Sequence, residues 1–242
     1  MDKHNFVQWK REGDIGIFLL SNGKENYLET PDFIQIEKFR EWIEEPGLKG
    51  IIICGIGRNF SAGANLEKLN ELAKNYQLLS KRLTQGKNLL NEIENLEIPV
   101  IASIDGICFG GGLEIALACH MRIASKNALF AFPEINHGLI PGLGGAFRSV
   151  KLIKHKAFEI ILNGDMINAE KALEIGLIDD ITNDNDAFLL AMEKMQSMTE
   201  GRSPELIRYA MQALKNAGCL NKEDALQKET EMFCKLATNL KI

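Results

Sequence analysis

Two short runs of apolar residues constrain this chain most: Gly50-Ile51-Ile52-Ile53-Cys54 and Val100-Ile101-Ala102-Ser103-Ile104. Unbroken runs of this length, rich in β-branched residues, read as strands covered on both faces. Between them, residues 66–96 carry leucine and isoleucine at helical spacing, as one long helix or two, ended by Pro99. Such strand–helix alternation argues for a layered α/β core. Upstream, Phe6-Val7-Gln8-Trp9 and Ile15–Leu20 flank a turn at Gly13-Asp14 and predict a hairpin. Phe33, Ile36, Phe39 and Ile43 predict a helix with Thr30 as cap and Pro31 as its first residue. Downstream, Gly110-Gly111-Gly112 opens the apolar run 113–119, and short strands are expected at 121–125 and 128–132. After Gly145 the pattern turns mostly helical, with starts at Asn168 and at Ser203-Pro204. That change sets a soft boundary, dividing the chain into a core of residues 1–190 and a helical region of residues 191–242.

The 242 residues are 45% hydrophobic and 25% charged, the balance of an ordinary soluble globular protein. A net charge of −5 gives no chain-wide basic footprint for nucleic acid. The five cysteines, Cys54, Cys108, Cys119, Cys219 and Cys234, form no C-x-x-C pair. Cys54 and Cys119 lie in apolar runs and read as small buried hydrophobes. Free thiols suit a reducing compartment. Met1-Asp2-Lys3-His4-Asn5 opens polar, without an apolar leader, and no stretch approaches the roughly 18 apolar residues of a membrane span. The expectation is a cytoplasmic protein with neither a membrane nor a nucleic-acid partner.

Three segments could carry chemistry. Asn59-Phe60-Ser61-Ala62-Gly63-Ala64-Asn65-Leu66 is a loop whose small side chains let backbone N–H groups approach a ligand. Phe109-Gly110-Gly111-Gly112-Leu113-Glu114 leads into a helix N-terminus, where unpaired N–H groups and the dipole favour negative charge. The third runs from Phe132-Pro133-Glu134 to Gly142-Leu143-Gly144-Gly145. Each has a bland reading when taken alone. Glycines before a helix are commonly a turn device, Glu114 could be a dipole-favoured surface acid, and Glu134 a loop or capping acid. Yet Ile115-Ala116-Leu117-Ala118-Cys119 after Glu114 is almost wholly apolar. A carboxylate on a buried helix is costly unless it has a partner or a task.

In this order and spacing the segments resemble the enoyl-CoA hydratase/isomerase (crotonase) superfamily, over roughly residues 6–181. Its anchors are Ser61-Ala62-Gly63-Ala64, Gly110-Gly111-Gly112-Leu113-Glu114, Pro133-Glu134 and Gly138-Leu139-Ile140-Pro141-Gly142-Leu143-Gly144-Gly145, with Asn163-Gly164-Asp165 downstream. The resemblance implies an α/β crotonase (ClpP-like) fold: stacked ββα units in a spiral core, and a C-terminal helical region that trimerises and covers the site. It implies an acyl thioester whose carbonyl oxygen sits between the backbone N–H groups of Ala64 and Gly111. It further implies Glu114 positioning and deprotonating a water that Gly142 N–H helps hold, and Glu134 transferring a proton at the α-carbon. Having both glutamates favours a hydratase, since isomerases of the family usually keep only the second. A Δ3/Δ2-enoyl isomerase or another enolate reaction (dehydratase or decarboxylase) on an acyl thioester is the alternative within the family, and a non-catalytic RNA-binding or scaffold protein is the different-class alternative. The resemblance implies no metal or redox cofactor, with coenzyme A present as part of the substrate. Lys24, Asn26, Leu28, Ala62, Asn65 and Leu66 are then substrate-binding candidates.

Several positions depart from the family pattern. Asn65 and His120 stand where aspartate is usual, and alter hydrogen bonding and a structural contact respectively. His137 replaces an apolar residue and is expected to be structural or to shape the pocket, and Phe132 is expected to narrow the acyl pocket. Relatives commonly continue past Lys241-Ile242 with a tail that helps bind the CoA nucleotide, which keeps a carrier-protein thioester in play beside acyl-CoA. A homotrimer or dimer of trimers is the expected assembly.

Overall fold

The computed structural model of the protein describes residues 6–184 and 186–238; the readings made on Met1-Asp2-Lys3-His4-Asn5 and on Lys241-Ile242 lie outside these. The expected hairpin is β1 (Val7–Glu12) with β2 (Ile15–Leu20), followed by α1 (Ile36–Ile43) and β3 (Gly50–Gly55). Residues 66–96 are two helices, α2 (Leu66–Ala73) and α3 (Tyr76–Glu94). Asn75 separates them: its side chain caps α3 by accepting from Leu78 N–H. Next come β4 (Val100–Ile104), β5 (Ile107–Phe109), α4 (Gly111–Ala118), β6 (Met121–Ser125) and β7 (Leu129–Ala131). A 3-10 turn over Pro133–His137 leads to α5 (Gly145–Ile153), α6 (Lys156–Asn163), β8 (Ile167–Asn168), α7 (Ala169–Glu174) and β9 (Asp180–Thr182). Three helices finish the described chain: α8 (Ala187–Thr199), α9 (Pro204–Cys219) and α10 (Lys222–Ala237).

Six strands form one sheet in the order β1-β2-β3-β4-β6-β9, antiparallel only between β1 and β2. A smaller sheet runs β5-β7-β8. From β4 onward the chain climbs by adding one strand to the large sheet and then a short one to the small sheet, β4 with β5 and β6 with β7. In the turn after β3 the short strand is reduced to Ser61, which bridges Cys108. The α/β layering is as expected.

Strand periodicity explains why the large sheet is covered twice. Ile51 and Ile53 face the main core with Phe60, Leu90 and Phe130, while Ile52, Ile101 and Ile123 face the other way, onto Ala187, Ala191 and Met195 of α8. Gly50 lets α8 approach: a Cβ there would stand 2.3 Å from Met195 Sδ. Helix α8 thus belongs to the sheet's packing and spans residue 190, where the sequence-based division falls.

Two readings need correction. Thr30 and Pro31 do not start α1, which begins after Gln35; they form part of a cavity wall. Phe132 is 1% exposed and packs in the core, where a Cβ on Gly145 would meet its ring at 2.8 Å, so it does not narrow a pocket. His120 is structural, as expected: its Nδ1 accepts from Val100 N–H at 2.9 Å. Cys54, Cys108 and Cys119 are buried free thiols. Among the described residues no helix is long and apolar enough to cross a membrane.

Candidate active site

Helix α4 is buried along its whole length, including Glu114 at 2% exposure. It starts from Gly110, whose φ of +50° few side-chain-bearing residues adopt. Its first turn lies against the Ser61–Ala64 loop, and a Cβ on Gly112 would stand 2.6 Å from Ser61 O. Gly63, at φ +84°, brings that loop so close that its own Cβ would meet Phe109 O at 2.6 Å and Gly111 N at 3.1 Å. Leu28 holds the loop from the far side: its N–H donates to Gly63 O and its carbonyl accepts from Asn65 N–H, at 2.8 and 2.9 Å. In that parallel bridge the N–H of Ala64 itself is left over. Gly111 N–H opens a helix and likewise lacks an intrahelical partner. A Cβ on Gly111 would lie 4.0 Å from Ala64 N. Two free backbone donors therefore sit side by side.

A cavity of about 440 Å³ opens here. Of the residues singled out from sequence, Ala64, Gly111, Glu114 and Glu134 all line it, and so do Leu28, Asn65, Leu66 and Gly142. Ala62 lines an adjoining outer cleft of about 690 Å³, which shares Ala64, Glu134 and His137 with the inner one. His137 is exposed and stands where the two meet. Lys24 and Asn26 line neither. Lys24 is exposed and contributes its carbonyl to Asn59 Nδ2. Asn26 is 1% exposed, and its amide is fully engaged in the loop, accepting from Asn22 N–H and donating to Ile56 O and Asn59 O. Its role is architectural.

The two carboxylates differ in their surroundings. Glu114 Oε1 accepts from Leu143 N–H at 2.6 Å and Gly145 N–H at 2.7 Å, at the N-terminus of α5. Burial raises its pKa, against the pull of those two donors and of Arg148 and Lys87. Glu134 follows Pro133 in the 3-10 turn, and Gly110 leaves room for it: a Cβ there would meet Glu134 Oε1 at 2.8 Å. Its Oε2 is buried without a hydrogen-bond partner. Burial first, then repulsion from Glu114, pushes the Glu134 carboxyl up to about 7. A carboxyl with that pKa exchanges a proton readily near neutrality.

Sequence reading missed the support for Glu114. Arg148, 5% exposed, donates to Leu143 O at 2.9 Å, to Glu94 Oε2 at 2.9 Å and to Asn91 Oδ1 at 2.8 Å, and so fixes the loop whose N–H groups hold Glu114. The signal available was the glycine pair Gly144-Gly145, which marks a helix start with unpaired donors. Asn65 caps α2 by accepting from Glu67 and Lys68 N–H, and it donates to Glu29 at 3.3 Å, which an aspartate could not do.

Paired donors for an oxyanion beside two acid–base carboxyls form an arrangement suited to enolate chemistry. Comparisons with known proteins agree in family. The chain is 31% identical over 223 residues to a probable enoyl-CoA hydratase of Bacillus subtilis, covering 90% of this chain and 85% of that protein. An enoyl-CoA hydratase structure from Thermoplasma volcanium superposes with TM-score 0.83 at 28% identity, covering 97% of this chain and 93% of that one. A Geobacillus kaustophilus enoyl-CoA hydratase subunit gives TM-score 0.85 at 27% identity, covering 96% and 90%. The enoyl-CoA hydratase/isomerase family profile matches residues 32–242. With sequence, fold and cavity in agreement over most of its length, the chain belongs to the enoyl-CoA hydratase/isomerase family.

Proposed function

We propose that this protein catalyses the reversible hydration of a trans-2-enoyl thioester to the 3-hydroxyacyl thioester. One observation carries the reading: Glu114 and Glu134 line the same cavity as the free N–H groups of Ala64 and Gly111. The thioester oxygen lies between those two donors. Water adds to the β-carbon as Glu114 takes one of its protons; the electron pair of the double bond moves towards the thioester carbonyl, and the charge gathers on the held oxygen. Each such donor is worth roughly 10²–10³ in rate. Glu134 then gives its proton to the α-carbon, and the thioester carbonyl re-forms. Gly142 N–H helps to hold the water. The thioester itself accepts the electrons, so the chemistry asks for no metal or redox group. The outer cleft takes the pantetheine arm that coenzyme A and carrier proteins share.

The test is loss of the conjugated-thioester ultraviolet absorbance when crotonyl-CoA or a longer enoyl-CoA is mixed with the protein. A second reading has its own support: Glu114 Oε1 is held by two N–H groups, as a purely structural carboxylate would be. Glu134 alone would then shuttle a proton between carbons, as in a Δ3/Δ2-enoyl isomerase. Substitution of Glu114 by Gln separates the two, abolishing hydration but sparing isomerisation. A homotrimer or dimer of trimers, with α9 and α10 in the assembly, completes the reading.

A further inference from the structure

Helices α2 and α3 form a hairpin around the inner cavity. α2 leaves the centre directly after Ala64 and Asn65; α3 comes back to it, where Leu83 Cδ2 lies 3.2 Å from the point a Gly142 Cβ would occupy. One turn beyond Leu83, Gly86 is packed so tightly on Pro31 and Leu143 that a Cβ would stand 2.3 Å from Pro31 O. The returning arm is thus anchored beside Glu114. Away from that anchor both arms turn mostly apolar residues to the void: Leu66, Leu69 and Ala73 from α2, with Asn70 the polar exception, and Leu79 and Leu83 from α3. Protein leaves these side chains partly uncovered, with Leu66 47% exposed and Ala73 exposed at the tip. The acid in this wall, Glu29, already has Oε1 bonded to the amides of Asn22 and Asn65. An apolar wall that faces an open space leading straight from the two carboxylates suits a hydrocarbon chain.

The hairpin also sets a length. From Leu83 to Leu79 is about 6 Å of α3, and from Leu66 to Ala73 about 10 Å of α2. An extended carbon chain advances about 1.2 Å per bond, so this depth takes roughly five to eight carbons past the β-carbon. We infer that the protein selects medium-chain enoyl thioesters of about eight to eleven carbons, with Ala73 and Leu79 marking the far end of the acyl pocket. The inference rests on the hydratase reading and goes beyond it in naming the acyl group.

The experiment compares kcat/KM for crotonyl-, octenoyl-, decenoyl- and hexadecenoyl-CoA. Half-exposed walls recover part of the hydrophobic transfer of each added methylene, so octenoyl- or decenoyl-CoA is expected to exceed crotonyl-CoA by about tenfold or more. Hexadecenoyl-CoA is expected to fall below the optimum. Ala73→Trp and Leu79→Trp each fill the tip, and each should lower the decenoyl-to-crotonyl ratio about tenfold; Leu79→Ala should not lower it. Ala73 is exposed, so its tryptophan variant keeps the test sound if the Leu79 variant misfolds. A flat or crotonyl-favouring profile, or tryptophan variants with unchanged ratios, overturns the inference and leaves hydration standing. No hydration of any thioester overturns both.

Discussion

Glu134 is the residue whose surroundings say most. Its Oε2 is buried without a donor, and burial together with Glu114 pushes the carboxyl up to about 7. Hydration takes up no net proton: the pair enters with the proton on Glu134 and leaves with it on Glu114. The active form in both directions is therefore the singly protonated pair. Hydration and dehydration should share one pH profile, with kcat/KM falling as pH rises through about 7. Glu134→Gln should cut kcat by about 10²–10⁴ and remove that limb. The same shift has a stability consequence with a definite sign. A folded-state pKa above the unfolded value favours folding fully below the unfolded pKa, near 4.5, and that contribution is lost as pH rises through about 7. The melting temperature of Glu134→Gln, relative to the parent, should accordingly climb between about pH 5 and about pH 8. Gly110→Ala places a Cβ 2.8 Å from Glu134 Oε1 at a φ of +50°. It should cost about 1–2 kcal/mol in denaturant unfolding and lower kcat by displacing the carboxyl.

At the scale of elements, the site depends on where helices begin. α4 supplies the Gly111 donor, the first residue of α5 and the loop residue Leu143 just before its cap supply the two donors to Glu114, and Asn65 caps α2. Arg148 ties the start of α5 to α3 through Glu94 and Asn91. Arg148→Met should lower kcat more than it changes KM, since it loosens Glu114 without touching the thioester. Equilibrium unfolding should show a loss of about 3 kcal/mol, because Leu143 O and Glu94 lose a buried cationic partner. Sequence made part of this legible. The glycines before Glu114 and the apolar run behind it announced a buried carboxylate, and the isoleucine runs announced β3 and β4. Arg148 was not legible, since nothing local tells a buried arginine from a solvated one; its side-chain partners are 54 and 57 residues away. Strands as short as β5, β8 and β9 carry no periodicity to read. Thr30-Pro31 imitates a helix start, but the chain first runs along the cavity wall, and Gln35 precedes the first helical residue.

For the molecule as a whole, the layered architecture followed from local pattern, whereas the order of strands and the second cover of the sheet by α8 are long-range outcomes. Large apolar side chains remain outside: Ile140 at 73%, Phe147 at 69%, Phe158 at 62%, Leu162 at 63% and Met166 at 64% exposure around α5 and α6. Leu214 and Phe233, on α9 and α10, are each 69% exposed. A monomer that kept so much apolar surface in water would be prone to association. If the proposed trimer or dimer of trimers covers this surface, light scattering should report three chains or a multiple of three, with a mass that persists in high salt because the contact is apolar. A single-chain mass at micromolar concentration would refute the trimer.

The fixed grip of Leu143 and Gly145 on one oxygen of Glu114 makes its two oxygens unequal. An amide put there must turn its own carbonyl towards those donors, which leaves the NH₂ facing the ligand. Glu114→Gln is then a reversal of hydrogen-bond polarity as well as a loss of charge. The variant would present a donor where water had met an acceptor, and it should retain anionic enolate mimics more tightly than the parent even as turnover stops.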